Sequence, residues 1–435
     1  MKIIVVFLLS LLLVGVLSKK KHKPRGKDEL RFKALTFNTI LLNKDIQEND
    51  VLPGDPPTTV PRNKAENVNK VERRGKIVQQ LLQSGADMVC LQEVVFEEDV
   101  QALVDGLRSV YPHSFSSIHS FKDDTIFIND MFRGPICDPI KLRSMFACFD
   151  VHCVTELQSG EIDAGLFKCG FANCRAEFAA LVATSGQDCI ICMKYTAIGL
   201  INQCSNSTVG GHKRINTHGL LLVSKKPLTN RATIPFYPGT TNNIDSAVLE
   251  TLYDGHTKVV CSHLTVYAPV TGEIDVALLG LLNYEAMSTF EVNNLVSRYG
   301  DDTGTVILGD FNIGPADPTN SILANGEENY NVLEGAFTTT RVQQCTFCGF
   351  PDNIYNQAMF ETRSLIIDHI FASNGTEVVN AQRMFRPVDA NTTTSDADGN
   401  RPLSDHYGVM AEIRRKPLRE SKRKPRKEPS MKKMP

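Results

Sequence analysis

The apolar and polar positions of this chain switch repeatedly between the two-residue period of a strand and the 3.6-residue period of a helix. Phe32–Asn38 (FKALTFN) reads as a strand that ends on Asn38. Residues 43–62, rich in Asn, Asp and Pro, read as a loop. Asn63–Ser84 places Val68, Val71, Ile77/Val78 and Leu81/Leu82 at helical spacing, with Gly85 as the stop. Asp87–Val94 (DMVCLQEV) is an apolar strand that closes on Gln92 and Glu93. Glu98–Val110 carries Val100, Leu103/Val104 and Leu107 on one helical face. A β–α–β–α beginning of this kind indicates layered α/β architecture.

Residues 131–210 interrupt the pattern with apolar helical segments, Glu177–Ala183 and Ile190–Ile201, set between cysteines. They read as an insertion on the surface of the main domain. The main pattern resumes at Gly219–Ser224, followed by the turn Lys225-Lys226-Pro227. Ala247–Leu252 and Lys258–His263 pair as a hairpin around Tyr253-Asp254-Gly255. A long helix is expected from Val276 to Tyr299, stopped by Gly300. In Thr305–Gly314 (TVILGDFNIG) a short apolar strand meets Gly309, with Asp310 and Asn312 just beyond. Residues 315–361 read as irregular. Leu365–Phe371 is a strand carrying Asp368 and His369, and residues 391–400 form a polar loop. Ser404-Asp405-His406 leads into a strand in which Tyr407, Val409, Ala411 and Ile413 alternate.

Composition adds a charge asymmetry. The 435 residues have a net charge of −2. Residues 19–27 hold six Lys/Arg and no acid, and residues 414–435 hold eleven against two Glu. Residues 28–413 hold 29 Lys/Arg against 47 Asp/Glu. An acidic body does not draw in polyanions through its general field, though it can bind a divalent cation and a single phosphate locally. Met1–Ser18 has the basic start, apolar run and small terminal residues of a signal peptide. A membrane anchor is the alternative, and its run of about 15 residues is short for a bilayer.

Secretion makes sense of twelve cysteines. Eight of them, Cys137, Cys148, Cys153, Cys169, Cys174, Cys189, Cys192 and Cys204, fall in the insertion. They read as up to four disulfides, with 105 pairings open. A zinc site on Cys189 and Cys192 is the rival, without a second pair to complete it. Cys345 and Cys348 read as a small disulfide loop. Cys90 and Cys261, inside apolar strands, read as buried thiols, a bridge between them being the other reading. Sequons at Asn206, Asn374 and Asn391 agree with secretion.

The strand ends supply chemistry. Asn38, Glu93, His263, Asp310 with Asn312, and Asp368 stand at or near the ends of apolar runs, and Asp405 with His406 opens another. Turn residues after strands explain one or two such positions. Two histidines, several carboxylates and two amides make up the kit for metal-assisted hydrolysis. The ordered motifs LTFN at 35–38, LQEV at 91–94, GLLLVSKKPL at 219–228, SHL at 262–264, GDFN at 309–312, IDHIF at 367–371 and SDHYGV at 404–409 resemble the endonuclease/exonuclease/phosphatase superfamily, the DNase-I-like phosphohydrolases.

The resemblance implies a four-layered α/β sandwich, two packed and mainly antiparallel sheets flanked by helices. It would span residues 31–413, interrupted by 131–210, between a basic linker at 19–30 and a basic tail at 414–435. It also implies roles. Glu93, Asn38 and Asp405 would bind a divalent cation, Mg²⁺ first, with Mn²⁺ and Ca²⁺ as alternatives. His406, oriented by Asp368, would activate water. His263 would meet the phosphate and the leaving side, and Asp310 and Asn312 would orient nucleophile and phosphate. His369 departs from the family, which often has Tyr there, and is expected to alter contacts around Asp368.

Three substrate readings follow. A phospholipid phosphodiesterase like the secreted neutral sphingomyelinases fits the GLLLVSK and SHL segments and an acidic body, with Phe236 and Tyr237 as docking aromatics. A secreted nuclease would need a basic cleft, for which Lys213, Arg214, Lys225, Lys226 and Arg231 are the candidates. A non-catalytic protein would bind through the cysteine-rich insertion. A phospholipid headgroup is favoured over nucleic acid, and the basic tail is a candidate for contact with an acidic surface.

Overall fold

Leu30–Leu41 (β1) and Met88–Val94 (β2) form strands because their apolar residues are buried on both faces. The computed structural model describes residues 30–41, 70–122, 125–128, 135–157, 169–170, 172–194, 202–205, 214–237, 246–267, 283–349, 352–353, 363–385 and 402–415. Between β1 and β2 runs α1 (Lys70–Gln83), and α2 (Glu97–Leu107) follows. Three short strands come next, β3 (His113–Ser116), β4 (His119–Lys122) and β5 (Thr125–Ile128). The cysteine-rich segment contributes α3 (Pro139–His152), α4 (Val154–Leu157), α5 (Arg175–Ser185), α6 (Gln187–Lys194) and α7 (Asn202–Ser205). Then come β6 (Leu221–Ser224), β7 (Leu228–Pro235), β8 (Ala247–Tyr253), β9 (Thr257–His263), α8 (Tyr284–Tyr299) and β10 (Thr305–Asp310). The chain continues through α9 (Glu327–Ala336), β11 (Thr338–Thr339), β12 (Asp368–Ala372), β13 (Thr376–Met384) and β14 (Gly408–Arg415).

Two six-stranded sheets result, ordered β13-β14-β1-β2-β6-β3 and β11-β12-β10-β9-β8-β7. β1 and β2 are parallel, as are β9 and β10. The pairs β2–β6, β3–β6, β13–β14, β7–β8, β8–β9, β10–β12 and β11–β12 are antiparallel. Ile77, Leu81, Val100, Leu103 and Leu107 of α1 and α2 pack on Leu35, Phe37, Val89 and Leu91. Met287, Leu295, Tyr330 and Leu333 of α8 and α9 pack on Val260, Ile307 and Phe371. A disulfide joins Cys90 of β2 to Cys261 of β9 across the two sheets. The arrangement is helix, sheet, sheet, helix, the sandwich that the motifs imply.

The bridge replaces the expected pair of buried thiols. Cys90 and Cys261 lie on the inner faces of the two sheets with Cα atoms 5.6 Å apart, within disulfide reach. The insertion carries four bridges: Cys137–Cys189, Cys148–Cys174, Cys153–Cys169 and Cys192–Cys204. Cys189 and Cys192 thus take separate partners, which removes the zinc reading. Cys345–Cys348 closes a small loop as expected. The insertion has its own core, in which Phe149, Phe178 and Leu181 pack with Val95, Phe96 and Ile215 of the main body.

Some expected elements differ. Residues 315–361 are not uniformly irregular, since α9 lies within them. β12 begins at Asp368, and Leu365 makes only an isolated bridge to Phe347. α8 begins at Tyr284, capped by the Asn283 side chain, and β14 runs to Arg415, two residues past the expected end of the domain; residues 276–282 lie outside the described residues, as do the loops 43–62 and 391–400, Met1–Ser18, residues 19–29 and 416–435 of the basic ends, Asn206 and Asn391. Asn374 is exposed in the turn between β12 and β13. Phe236 and Tyr237 are buried, with Tyr237 stacked on Phe290 and donating to Glu291 Oε1, so they are not docking aromatics. Among the described residues no helix is long and apolar enough to cross a membrane.

Candidate active site

Strand register brings the chemistry together. In the second sheet Asp310 stands opposite His263 on one side and Asp368 on the other. In the first sheet Asn38 stands beside Gln92, one residue before Glu93. The β9–β10 approach is close enough that a Cβ on Gly309 would lie 1.9 Å from Ser262 O, so only glycine fits. Two turns leave the sheets in the left-handed region, at Glu93 (φ 59°) and Asn312 (φ 54°). Positive φ at a glutamate is unusual and marks a locally over-determined backbone.

Asp310 Oδ2 is the meeting point. It accepts from Asn38 Nδ2 at 3.0 Å, lies 3.5 Å from His263 Nε2 and lies 3.7 Å from His406 Nε2. The Asn38–Asp310 bond crosses from one sheet to the other. Asp310 Oδ1 accepts from the Asn312 amide at 2.8 Å. The Asn312 side chain donates to Leu264 O at 2.9 Å, which ties the GDFN turn to the residue after His263. His406 Nδ1 bonds Asp368 Oδ2 at 2.9 Å. With Nδ1 donating, Nε2 is left facing Asp310 and the open side of the site.

Electrostatics separate two halves of the site. Burial would lower the His406 pKa, but Asp368, Asp310 and Asp405 together raise it well above its ordinary value. The Asp368 carboxyl is pushed up by burial and by Asp310, against the pull of His406. Burial and the carboxylates of Asp405 and Asp310 push Glu93 up to about 8, against a hydrogen bond with Asn38. A buried carboxyl that stays protonated beside two further carboxylates is a place where a cation can take over from that proton. Glu93 and Asp405 offer hard oxygen donors that fit Mg²⁺ or a similar ion; Asn38 turns Nδ2 to Asp310 and its Oδ1 accepts from Ile40 N at 3.2 Å, so its oxygen would join them with the amide turned over. Asp310, Asp368 and His406 also lie close enough to share an ion. His406 and Asp368 are hydrogen-bonded to each other, and Asp310 stands across the His406 ring from Asp368.

All eight expected site residues therefore gather at one end of the sandwich. His369 does not join them. It follows Asp368 on the strand and so points to the opposite face, where it bonds Ile313 O at 2.9 Å among Phe311, Tyr330 and Phe371. Lys225, Lys226 and Arg231 do not join them either. Ser224 pairs with Met88 and Leu228 with Tyr253, at the strand ends away from Glu93 and His263. Lys213 lies outside the described residues, and Arg214 sits beyond the Glu93 end of β2, where its carbonyl accepts from Glu97 N at 3.4 Å and Ile215 bridges Phe96.

Three supporting residues escape a reading of strand ends. Thr346 Oγ1, inside the Cys345–Cys348 loop, accepts from the amides of Ile367 and Asp368. The Phe347 ring meets His406 edge-on at 5.1 Å. Arg73 lies buried behind the turn that follows Asn38. A signal existed for Arg73 alone: a cation on the apolar stripe of α1.

The endonuclease/exonuclease/phosphatase family matches residues 67–406, and the chain belongs to that family. Its fold is that of phosphoric diester hydrolases. No curated protein matches the chain in sequence. Among solved structures, an endonuclease/exonuclease/phosphatase from Beutenbergia cavernae is 14% identical, with 88% of this chain and 72% of that chain covered and a TM-score of 0.43. Sphingomyelinase C from Streptomyces griseocarneus is 12% identical, with 88% and 99% covered and a TM-score of 0.42. A humanised D. rerio TDP2 is 12% identical, with 88% and 98% covered and a TM-score of 0.40.

Proposed function

We propose that the protein is a secreted, Mg²⁺-dependent phosphodiester hydrolase whose substrate is a phospholipid with a small zwitterionic headgroup, such as sphingomyelin. The observation that carries the hydrolase reading is the convergence of Asn38, His263 and His406 on Asp310 Oδ2, with Asp368 behind His406. A cation held by Glu93, Asp405 and Asn38 would neutralise charge on the phosphoryl oxygens and offset the carboxylates that hold a proton on His406.

The chain's own residues would do the rest. Asp368 holds the His406 ring so that Nε2 takes a proton from water. Asp310 orients that water between the two imidazoles. His263, partly open to solvent, faces the phosphate and the leaving oxygen. Asn312 keeps Asp310 in place through its amide.

The lipid reading is supported by where the cations are. Lys225 and Lys226 lie at the far rim and Arg231 within β7, which leaves Arg214 as the one described candidate at the Glu93 end, too few for the phosphate-tracking groove that a nuclease uses. Secretion is supported by the apolar leader and by six disulfides. The test is hydrolysis of sphingomyelin vesicles and duplex DNA side by side by purified protein, with Mg²⁺ and with EDTA. Metal-dependent phosphocholine release is expected. DNA cleavage without lipid turnover would overturn the lipid reading and leave the hydrolase.

A further inference from the structure

Along α1 the buried positions are Lys70, Arg73, Ile77 and Leu81. That spacing puts Arg73 on the face packed against the sheet, a place charged residues rarely occupy without a partner. Its guanidinium is engaged by three main-chain carbonyls from two separate stretches. Nη1 donates to Thr39 O at 2.6 Å and to Leu403 O at 2.8 Å, and Nη2 donates to Ile40 O at 2.7 Å.

Those carbonyls flank the cation donors. Thr39 and Ile40 directly follow Asn38, and Leu403 precedes Asp405 by two residues. Ile40 has φ 47°, a left-handed conformation that a β-branched residue adopts only when its surroundings impose it. Arg73 holds the carbonyls on both sides of that strained peptide. The Thr39 hydroxyl extends the tie to the third donor, giving its hydrogen to Gln92 O at 2.8 Å, next to Glu93. The segments bearing Asn38, Glu93 and Asp405 are thus linked through their main chains behind the site.

We propose that Arg73 is a positioning residue for the cation site: its fork sets the distance between the Asn38 turn and the Asp405 loop, so that both segments frame the ion together with Glu93. The inference rests on the metal reading above. A planar fork with several fixed donors can hold two loops at once, whereas a lysine ammonium is a point charge on a flexible stem. Groups that orient metal ligands from behind are commonly worth roughly 10–100-fold in metal affinity.

The test is Mn²⁺ binding to the full chain, read by electron paramagnetic resonance of the free ion, so that no turnover is needed. Wild type is expected to bind Mn²⁺, and Arg73→Lys to bind it at least about tenfold more weakly. Ile77→Val, which trims the core on the same helix, is expected to leave the affinity unchanged. Equal affinity for Arg73→Lys and wild type would overturn the proposal. If Arg73→Lys does not fold, Ile40→Gly is added, because glycine takes a positive φ without strain. Arg73→Lys/Ile40→Gly is then expected to bind more weakly than Ile40→Gly alone, and equality would overturn the proposal. A wild type that binds no Mn²⁺ would overturn the metal reading and the proposal with it.

Discussion

Cys90 and Cys261 join the two sheets by a disulfide placed three residues before Glu93 on β2 and two before His263 on β9. The bridge closes a separation of 171 residues, for which chain entropy predicts about 5 kcal/mol of stabilisation. Both sulfurs are fully buried. Cys90→Ala/Cys261→Ala should therefore lower the guanidinium midpoint strongly. It should also lower kcat in the protein that remains folded, because the two halves of the site ride on the bridged strands. Unchanged kcat with a lowered midpoint would confine the bridge to stability.

Gly309 sets the spacing of His263 and Asp310. A methyl group there meets the Ser262 carbonyl, which is backbone and has no flexible end to yield. Gly309→Ala must part β9 from β10. A displacement near 1 Å at reacting groups costs on the order of 10²-fold in rate. A loss of that size in kcat/KM, with far-ultraviolet circular dichroism preserved, is the expected result.

What the sequence showed and what it hid follow from locality. Glu93, His263, Asp310 and Asp368 were legible because each ends an apolar run, a pattern within ten residues. Six strands were not legible: β3, β4, β5 and β11 run four residues or fewer, too short to show alternation, and among the longer strands β7 and β13 were missed. Each of these last two contains a left-handed asparagine, Asn230 at φ 51° and Asn380 at φ 54°, at a register shift that breaks the two-residue alternation. Helix α9 buries only Asn329, Tyr330 and Leu333 in ten residues, too few to establish a 3.6-residue period. The Cys90–Cys261 bridge depended on how two sheets face each other, which neither strand carries alone.

Thr346 supports the dyad through the main chain. Its hydroxyl oxygen accepts from the amides of Ile367 and Asp368, and its carbonyl accepts from Tyr407 N at 2.7 Å. Thr346→Val keeps the shape and leaves two buried donors unsatisfied, a cost of about 1–3 kcal/mol each. Steady-state kinetics should show the loss in kcat with KM little changed, since the affected residues orient the proposed base, His406. A change confined to KM would contradict that placement.

His369 gives the fold an acid limit. Burial lowers its pKa from 6.5 to about 4. The neutral ring is favoured in the folded state, so its stabilisation is full above pH 6.5 and is lost as pH falls through about 4. The shift corresponds to about 3 kcal/mol by linkage. Urea unfolding at pH 7.0 and pH 4.5 should show a larger loss for wild type than for His369→Phe, whose aromatic ring does not titrate. Equal losses would mean that this histidine does not govern the acid limb.

The central claim is that one end of the sandwich hydrolyses phosphodiesters with a cation and the His406–Asp368 pair. The most direct measurement is the rate of bis(4-nitrophenyl) phosphate hydrolysis by the purified full chain, wild type beside His406→Ala, in Mg²⁺ and in EDTA. The account predicts Mg²⁺-dependent turnover by wild type, none in EDTA, and a fall of roughly 10²–10⁴-fold in kcat for His406→Ala with its melting curve intact. Wild-type turnover that persists in EDTA, or His406→Ala turnover equal to wild type, would contradict it.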